Sequence, residues 1–113
     1  MTRLILIAFL ILAFSSHAMA AGSVSGKVIA VRVDASGIGM VFFDQPVTGA
    51  TASCRNGAYA TALAFDTNTP GGKTIVATAL AAKATGDTIS ALGTGACNIY
   101  ANAVEDWSYG VVQ

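Results

Sequence analysis

Two cysteines, Cys54 and Cys97, restrict the fold of this chain more than any other feature of its sequence. They allow only one intramolecular pairing, and a chain that folds in an oxidising compartment most simply joins them. Closing a loop of about 44 residues destabilises the unfolded chain by roughly 4 kcal/mol on chain-entropy grounds, which is a large share of the stability of a small domain. We therefore predict a Cys54–Cys97 disulfide, the alternative being two free buried thiols.

The start of the chain predicts export. Arg3 precedes an apolar run over residues 4–14, and a polar break leads to the small residues Ala18-Met19-Ala20, the layout of a secretory signal with its cleavage site. Eleven apolar residues at about 1.5 Å each would cross only half of a roughly 30 Å hydrocarbon core, so a membrane anchor fits less well. We expect residues 1–20 to be a signal peptide and residues 21–113 to be one domain in the periplasm or outside the cell.

The composition of residues 21–113 excludes several functions. This part of the chain has no histidine, which rules out a Ser-His-acid triad and any zinc site built on histidine. It carries five basic and six acidic side chains, a formal net charge of −1, and the scattered cations form no basic stripe of the kind that binds nucleic acid. We expect no nucleic-acid partner, no metal or other cofactor, and no membrane span once the signal is removed.

Alternating hydrophobicity predicts the first two strands. Over 24–34, the apolar Ile29, Val31 and Val33 share one face, which is the period of two of a β-strand. Residues 38–44 follow after a Ser-Gly turn, and both faces of this second strand are apolar. Such a strand is either covered on both sides or contacts another subunit through its outer face.

The rest of the chain predicts one helix between strand regions. Thr69 can cap a helix that starts at Pro70, apolar residues recur every three or four positions after it, and Gly86 stops it, so the helix spans about 70–85. The other extended segments are 52–55 and 59–65, which together form a third strand, 88–92 with a continuation over 96–100, and 104–112. Five strands with one helix between the third and fourth is the order of an OB-type Greek-key barrel. The predicted fold class is therefore mainly β: an OB-fold-like five-stranded barrel with one helix.

Short segments along the domain carry a family resemblance. They are Ser25-Gly26-Lys27-Val28-Ile29, Cys54, Ala64-Phe65-Asp66, Thr69-Pro70-Gly71-Gly72-Lys73, Thr85-Gly86 and Gly93-Thr94-Gly95-Ala96-Cys97. Together they resemble a group of small exported bacterial proteins similar to the B subunit of subtilase cytotoxin. The resemblance implies an OB-fold barrel and a disulfide. For the toxin subunit itself it implies a ring of five copies that recognises sialylated glycans on host cells.

The resemblance also implies a ligand residue. In the toxin subunit a serine in the matching S-G-x-V-I segment contacts the sugar, and Ser25 occupies that position here. A tyrosine in the strand after the toxin subunit's helix also reaches the sugar, whereas the matching position in this chain is Gly93. Many members of the group stand alone without a catalytic partner, so the resemblance does not by itself imply a toxin.

Aromatic side chains offer a second kind of sugar contact. The candidates for stacking on a sugar ring are Tyr59, Tyr100, Trp107 and Tyr109. Aromatic residues at alternate positions of a strand more often fill a small barrel core. We expect Trp107 and Tyr109 to be core residues for that reason.

Two further groupings invite a catalytic interpretation that the spacing does not favour. Glu105-Asp106 could be a glycosidase pair, but adjacent strand residues point to opposite faces, so we expect a solvated strand entrance instead. Ser25 and Lys27 share a face, but nothing in the sequence indicates that Lys27 is buried enough to lose its proton.

The sequence thus predicts an exported, non-enzymatic binding module. The expected ligand is a glycan, Ser25 is the candidate ligand-binding residue, and a homo-oligomer is the expected assembly, with five copies by resemblance. The alternative is a stand-alone periplasmic structural or protein-interaction domain that binds no sugar. An enzyme is the third and least favoured hypothesis, because the sequence shows no acid–base constellation.

Overall fold

A computed structural model describes residues 21–113, and these form an antiparallel sheet with one α-helix packed on it. The strands are β1 (Gly22–Val33), β2 (Ile38–Phe43), β3 (Thr48–Gly49), β4 (Ala62–Asp66), β5 (Thr88–Gly93) and β6 (Trp107–Val112), and the helix is α1 (Pro70–Thr85). The prediction of a mainly β domain with one helix is confirmed. The predicted signal peptide, residues 1–20, lies outside the described residues.

The strand order in the sheet is β4-β2-β1-β5-β6, with the two-residue β3 paired to the start of β1. The sheet therefore has six strands rather than the predicted five. Its two edges, β4 and β6, approach each other at one parallel bridge between Ala64 and Asp106. The N–H of Ala64 donates to the carbonyl of Glu105 there, at 2.9 Å. Within the described residues no continuous ladder joins these edges, so the predicted closed barrel is not shown.

A β-bulge in β1 changes which residues face the core. Val28 pairs with Phe43 and Ala30 pairs with Phe42, so Ile29 is an extra residue opposite the partner strand. Val28 is buried before the bulge, and Ile29 is 56% exposed. The sequence prediction that Ile29 shares the face of Val31 was wrong, because strict alternation does not allow for an inserted residue.

Both faces of β2 are covered by the chain itself. On one face, Val41 and Phe43 pack with α1 and with Trp107. On the other face, Met40 packs with Ala62, Ala64 and Val104. Of the two explanations for its doubly apolar sequence, coverage within the chain is therefore the one observed.

Two segments predicted to be extended are loops. Residues 52–55 and 96–100 form turns, and the disulfide between Cys54 and Cys97 joins them, with the two Cα atoms 6.1 Å apart. The predicted disulfide is confirmed. A short 3₁₀ helix, Gly57–Tyr59, replaces the start of the predicted third strand, and the last strand begins at 107 rather than 104. Tyr59, Ile99 and Tyr100 in these loops pack on the cluster of buried residues around Met40, which accounts for apolar residues outside the strands.

The helix spans the predicted residues. The hydroxyl of Thr69 accepts a hydrogen bond from the N–H of Gly72 at 3.0 Å, which caps the first turn. At the other end Gly86 adopts a left-handed conformation with φ 75°, which ends the helix. Ala79 and Ala82 are buried against the sheet.

Candidate functional site

Ser25 lines a shallow depression on the outer face of the sheet. It pairs with Ser90 across β1 and β5, and the two hydroxyl oxygens are 3.2 Å apart. The depression has a volume of about 460 Å³. Its lining consists of Ser23, Val24, Ser25, Gln45, Pro46, Thr48, Ser90, Ala91 and Leu92. The structure thus brings the predicted ligand residue together with a second serine that the sequence did not single out.

The depression exists because β1 changes partners along its length. The second half of β1 pairs with β2, and its first two residues pair with β3. The segment that connects β2 to β3 therefore passes alongside the middle of β1. The backbones of Lys27 and Asp44 meet there, because the N–H of Asp44 donates to the carbonyl of Lys27 at 2.9 Å. A Cβ on Gly26 would lie 2.6 Å from the Asp44 carboxylate, so a glycine is needed for this approach. Gln45 and Pro46 consequently form one wall of the depression.

The chemistry of this lining is that of uncharged hydrogen bonding. Serine and threonine hydroxyls both donate and accept, and the Gln45 amide does the same with separate atoms. The exposed Lys27 lies two residues beyond Ser25 on the same face of β1 but is outside the lining. The arrangement is suited to a polyhydroxylated ligand, whose own hydroxyls need both donors and acceptors.

An exposed aromatic ring lies on the same face of the sheet. Leu92 pairs with Tyr109, and Ser90 pairs with Val111, so both β6 residues continue the rows that begin at the depression. Tyr109 is 57% exposed. It was predicted to be a core residue, and that prediction was wrong.

A second bulge explains the position of Tyr109. Trp107 pairs with Gly93 and Tyr109 pairs with Leu92, so Ser108 is the extra residue, and the two aromatic rings lie on opposite faces. Trp107 is buried, with its ring centroid 5.9 Å from that of Phe43. The prediction of a core role is therefore confirmed for Trp107 alone.

Glu105 and Asp106 are buried rather than solvated, which corrects the prediction of a strand entrance. The Glu105 carboxylate accepts hydrogen bonds from the N–H groups of Gly22 at 2.9 Å and Ala52 at 2.6 Å. The Asp106 carboxylate accepts from those of Asn98 at 2.9 Å and Ile99 at 3.1 Å. The two acids hold different parts of the backbone in place. As expected for adjacent residues, the two carboxylates do not face a common ligand.

A further polar cluster was not predicted from the sequence. The hydroxyl of Tyr100 donates to the Asp34 carboxylate at 2.5 Å, and the Arg32 Nε lies 2.7 Å from the other carboxylate oxygen. The hydrogen bond from Tyr100 and the neighbouring Arg32 lower the pKa of Asp34. Burial and the contact with Asp34 raise the pKa of Tyr100 to about 12. Arg32 and Asp34 are close in sequence, but Tyr100 is 66 positions from Asp34, so no local pattern could reveal the contact.

Comparisons with protein-family models, with curated proteins and with solved structures return no match to this chain. The resemblance to the subtilase cytotoxin B subunit group therefore stays a prediction. Across residues 21–113, no helix combines the length and the apolar character that crossing a membrane requires. The same residues hold no grouping of three or more potential His, Cys, Asp or Glu metal ligands.

Proposed function

We propose that this protein is an exported, non-enzymatic binding module whose ligand is a glycan held at the Ser25 depression. The observation that carries the proposal is the exposed Ser25–Ser90 pair within a recess lined by hydroxyl and amide groups. A sugar presents hydroxyls that must exchange their bonds to water for bonds to the protein, and this lining supplies both donors and acceptors.

Tyr109 adds a second contact to the proposed mode of binding. One interstrand spacing of about 4.8 Å separates Tyr109 from Leu92 at the rim of the depression, and two spacings, about 10 Å, separate it from Ser23 on the far side of Leu92. That distance suits an oligosaccharide better than a single sugar, with one unit hydrogen-bonded in the depression and another stacked on the phenol ring.

We also propose that the sheet is an OB-like barrel. The strand order β4-β2-β1-β5-β6 makes β4 and β6 the two edges, and the parallel bridge between Ala64 and Asp106 is the point at which such a barrel would close. The position of the helix between β4 and β5 agrees with the same architecture.

Export is supported by the disulfide, since such bonds persist in oxidising compartments. A direct measurement is the mass of the purified, exported protein, which we expect to correspond to a chain beginning at Ala21. An intact chain beginning at Met1 would contradict the proposed signal peptide.

A glycan array probed with the exported protein tests the proposed ligand class. Ser25→Ala and Ser90→Ala should each weaken any binding about fivefold, because each removes a hydrogen bond worth on the order of 1 kcal/mol. Ser53→Ala is the matched control, since Ser53 is exposed and lies outside the depression. Absence of binding at millimolar sugar would defeat the glycan proposal, and unchanged affinity in Ser25→Ala would remove Ser25 from the site.

A protein-interaction role is the second candidate. It is favoured by exposed apolar side chains on β6, namely Tyr109, Val111 and Val112. A binding module for proteins would use this strand rather than the serine pair. Substitution of Val111 or Val112 should then weaken binding while Ser25→Ala and Ser90→Ala should not, whereas Tyr109 is sensitive under both candidates.

A further inference from the structure

Strand β6 is an open edge of the sheet. It pairs with β5 on one side, and on the other side a groove of about 320 Å³ separates its first half from α1. The opposite edge strand, β4, is almost entirely buried, and Ala64 within it bonds to Glu105. Of the two edges described, β6 is therefore the one that presents backbone groups to solvent along most of its length.

This edge lacks most of the features that prevent strands from associating. Natural edge strands are usually protected by a lysine or a proline, by a bulge, by being very short or by a covering element. Residues 107–113 contain no lysine, no proline and no charged side chain. The single bulge, at Ser108, lies at the start and leaves the rest of the strand regular. Instead, Val111 is 53% and Val112 is 42% exposed.

We infer that a second copy of this chain adds antiparallel to β6 about a two-fold axis at Gly110. This register places Tyr109 opposite Val111 of the second copy, and the reverse. Both residues lie on the outer face, so the contact consists of two aromatic–aliphatic cross-strand pairs, which stabilise antiparallel sheets. Gly110 itself faces inward, where a Cβ would lie 2.5 Å from the Trp107 ring.

The absence of charged side chains on β6 is compatible with a symmetric contact. A two-fold axis brings each side chain near its own counterpart, so a charged strand would meet like charges at the contact. The side chains of β6 carry no charge, and the pairing has no such cost. A five-membered ring needs a different arrangement, in which β6 meets another part of the neighbouring subunit.

The inferred pair would matter for the proposed glycan site, although it does not depend on that site. The sheets of the two copies would join as β1-β5-β6 followed by β6-β5-β1. Five spacings of about 4.8 Å then separate the two β1 strands, so two Ser25 depressions would lie about 24 Å apart on one face. Two sites on one face allow bivalent attachment to a glycan-bearing surface.

Native mass spectrometry of the exported protein and of three variants tests the inference. We expect the mass of two chains for the unmodified protein and of one chain for Tyr109→Lys with Val111→Lys, which places lysines opposite each other. Tyr109→Lys with Val111→Glu should restore the two-chain mass, because the register places each lysine opposite a glutamate. Leu80→Lys, on the exposed face of α1, is the matched control and should leave the two-chain mass unchanged.

A one-chain or five-chain mass for the unmodified protein would overturn the inference, and so would a one-chain mass for the Lys–Glu variant. Hydrogen exchange gives an independent measurement that needs no variant. The amides of β6 should exchange more slowly as the protein concentration rises. Exchange that is independent of concentration would equally overturn the pairing.

Discussion

The Glu105 carboxylate occupies the space that a side chain at position 93 would need. A Cβ on Gly93 would lie 1.6 Å from Oε2 of Glu105, well inside any contact that real atoms make. The carboxylate cannot easily move, because it also accepts hydrogen bonds from Gly22 and Ala52. This contact explains why position 93 is a glycine. An aromatic contribution to the proposed glycan binding would have to come from elsewhere, and Tyr109 is the exposed candidate on the same face of the sheet as Ser25.

Gly93→Ala should therefore destabilise the protein by about 3 kcal/mol, because the added methyl group displaces a buried carboxylate. Urea unfolding measures the effect. The matched control is Gly71→Ala, at which an added Cβ meets nothing within 4 Å. That substitution lies in the first turn of α1 and should be neutral or stabilise by about 0.5 kcal/mol. Equal stability of the two variants would contradict the placement of Glu105.

Glu105→Ala should cost more stability than Glu105→Gln. The alanine variant leaves the buried N–H groups of Gly22 and Ala52 without partners, and each such loss costs about 1–3 kcal/mol. The glutamine variant keeps one oxygen acceptor and nearly the same volume. Thermal unfolding of both variants gives the comparison, and a smaller loss for alanine than for glutamine would show that the carboxylate does not hold these amides.

Loss of the Cys54–Cys97 disulfide should lower the free energy of unfolding by roughly 4 kcal/mol, since the unfolded chain regains the entropy of a long loop. The measurement is urea unfolding of the paired serine variant, Cys54→Ser with Cys97→Ser. Reduction of the unmodified protein should give the same result. Two thiols that react freely with an alkylating agent in the oxidised protein would contradict the bond itself.

Titration of Tyr100 should depend on Asp34. Its pKa is raised from 10.0 to about 12, by burial first and then by the contact with Asp34. The folded state therefore keeps this proton where the unfolded state loses it. The resulting stability is complete below pH 10 and is lost as the pH rises toward 12. Ultraviolet absorbance of phenolate should show a lower Tyr100 pKa in Asp34→Asn, and an unchanged value would exclude the contact.

The contact between Tyr100 and Asp34 also makes stability depend on pH in acid, where stability is lost as the pH falls. The pKa of Asp34 is lowered, by the hydrogen bond from Tyr100 and then by Arg32. Its contribution to stability is present above the unfolded pKa of this carboxylate and is lost as the pH falls through the folded value. In Tyr100→Phe the Asp34 pKa, followed by NMR titration, should rise. No rise would show that the tyrosine hydroxyl does not bind the carboxylate.

Local features of the sequence were sufficient to predict the helix and the disulfide. The cap at Thr69, Pro70 in the first turn and the glycine after the last turn are local signals, and the structure has the helix at the predicted residues. The pairing of Cys54 with Cys97 follows from counting alone. The period of two likewise located β1, β2 and β6, with errors of a few residues at their ends.

The tertiary structure alone decided which side of a strand faces the core and which loops meet. Two bulges, at Ile29 and Ser108, invert the alternation within β1 and β6, and a bulge is a property of the paired strand rather than of the residues that form it. It is for this reason that Tyr109 is exposed beside the Ser25 depression instead of lying in the core. The hydrogen bonds that Glu105 accepts from Gly22 and Ala52 and the contact of Tyr100 with Asp34 join residues that are 83, 53 and 66 positions apart. Only the folded chain brings such groups together, because their hydrogen bonds depend on distances that no local pattern records.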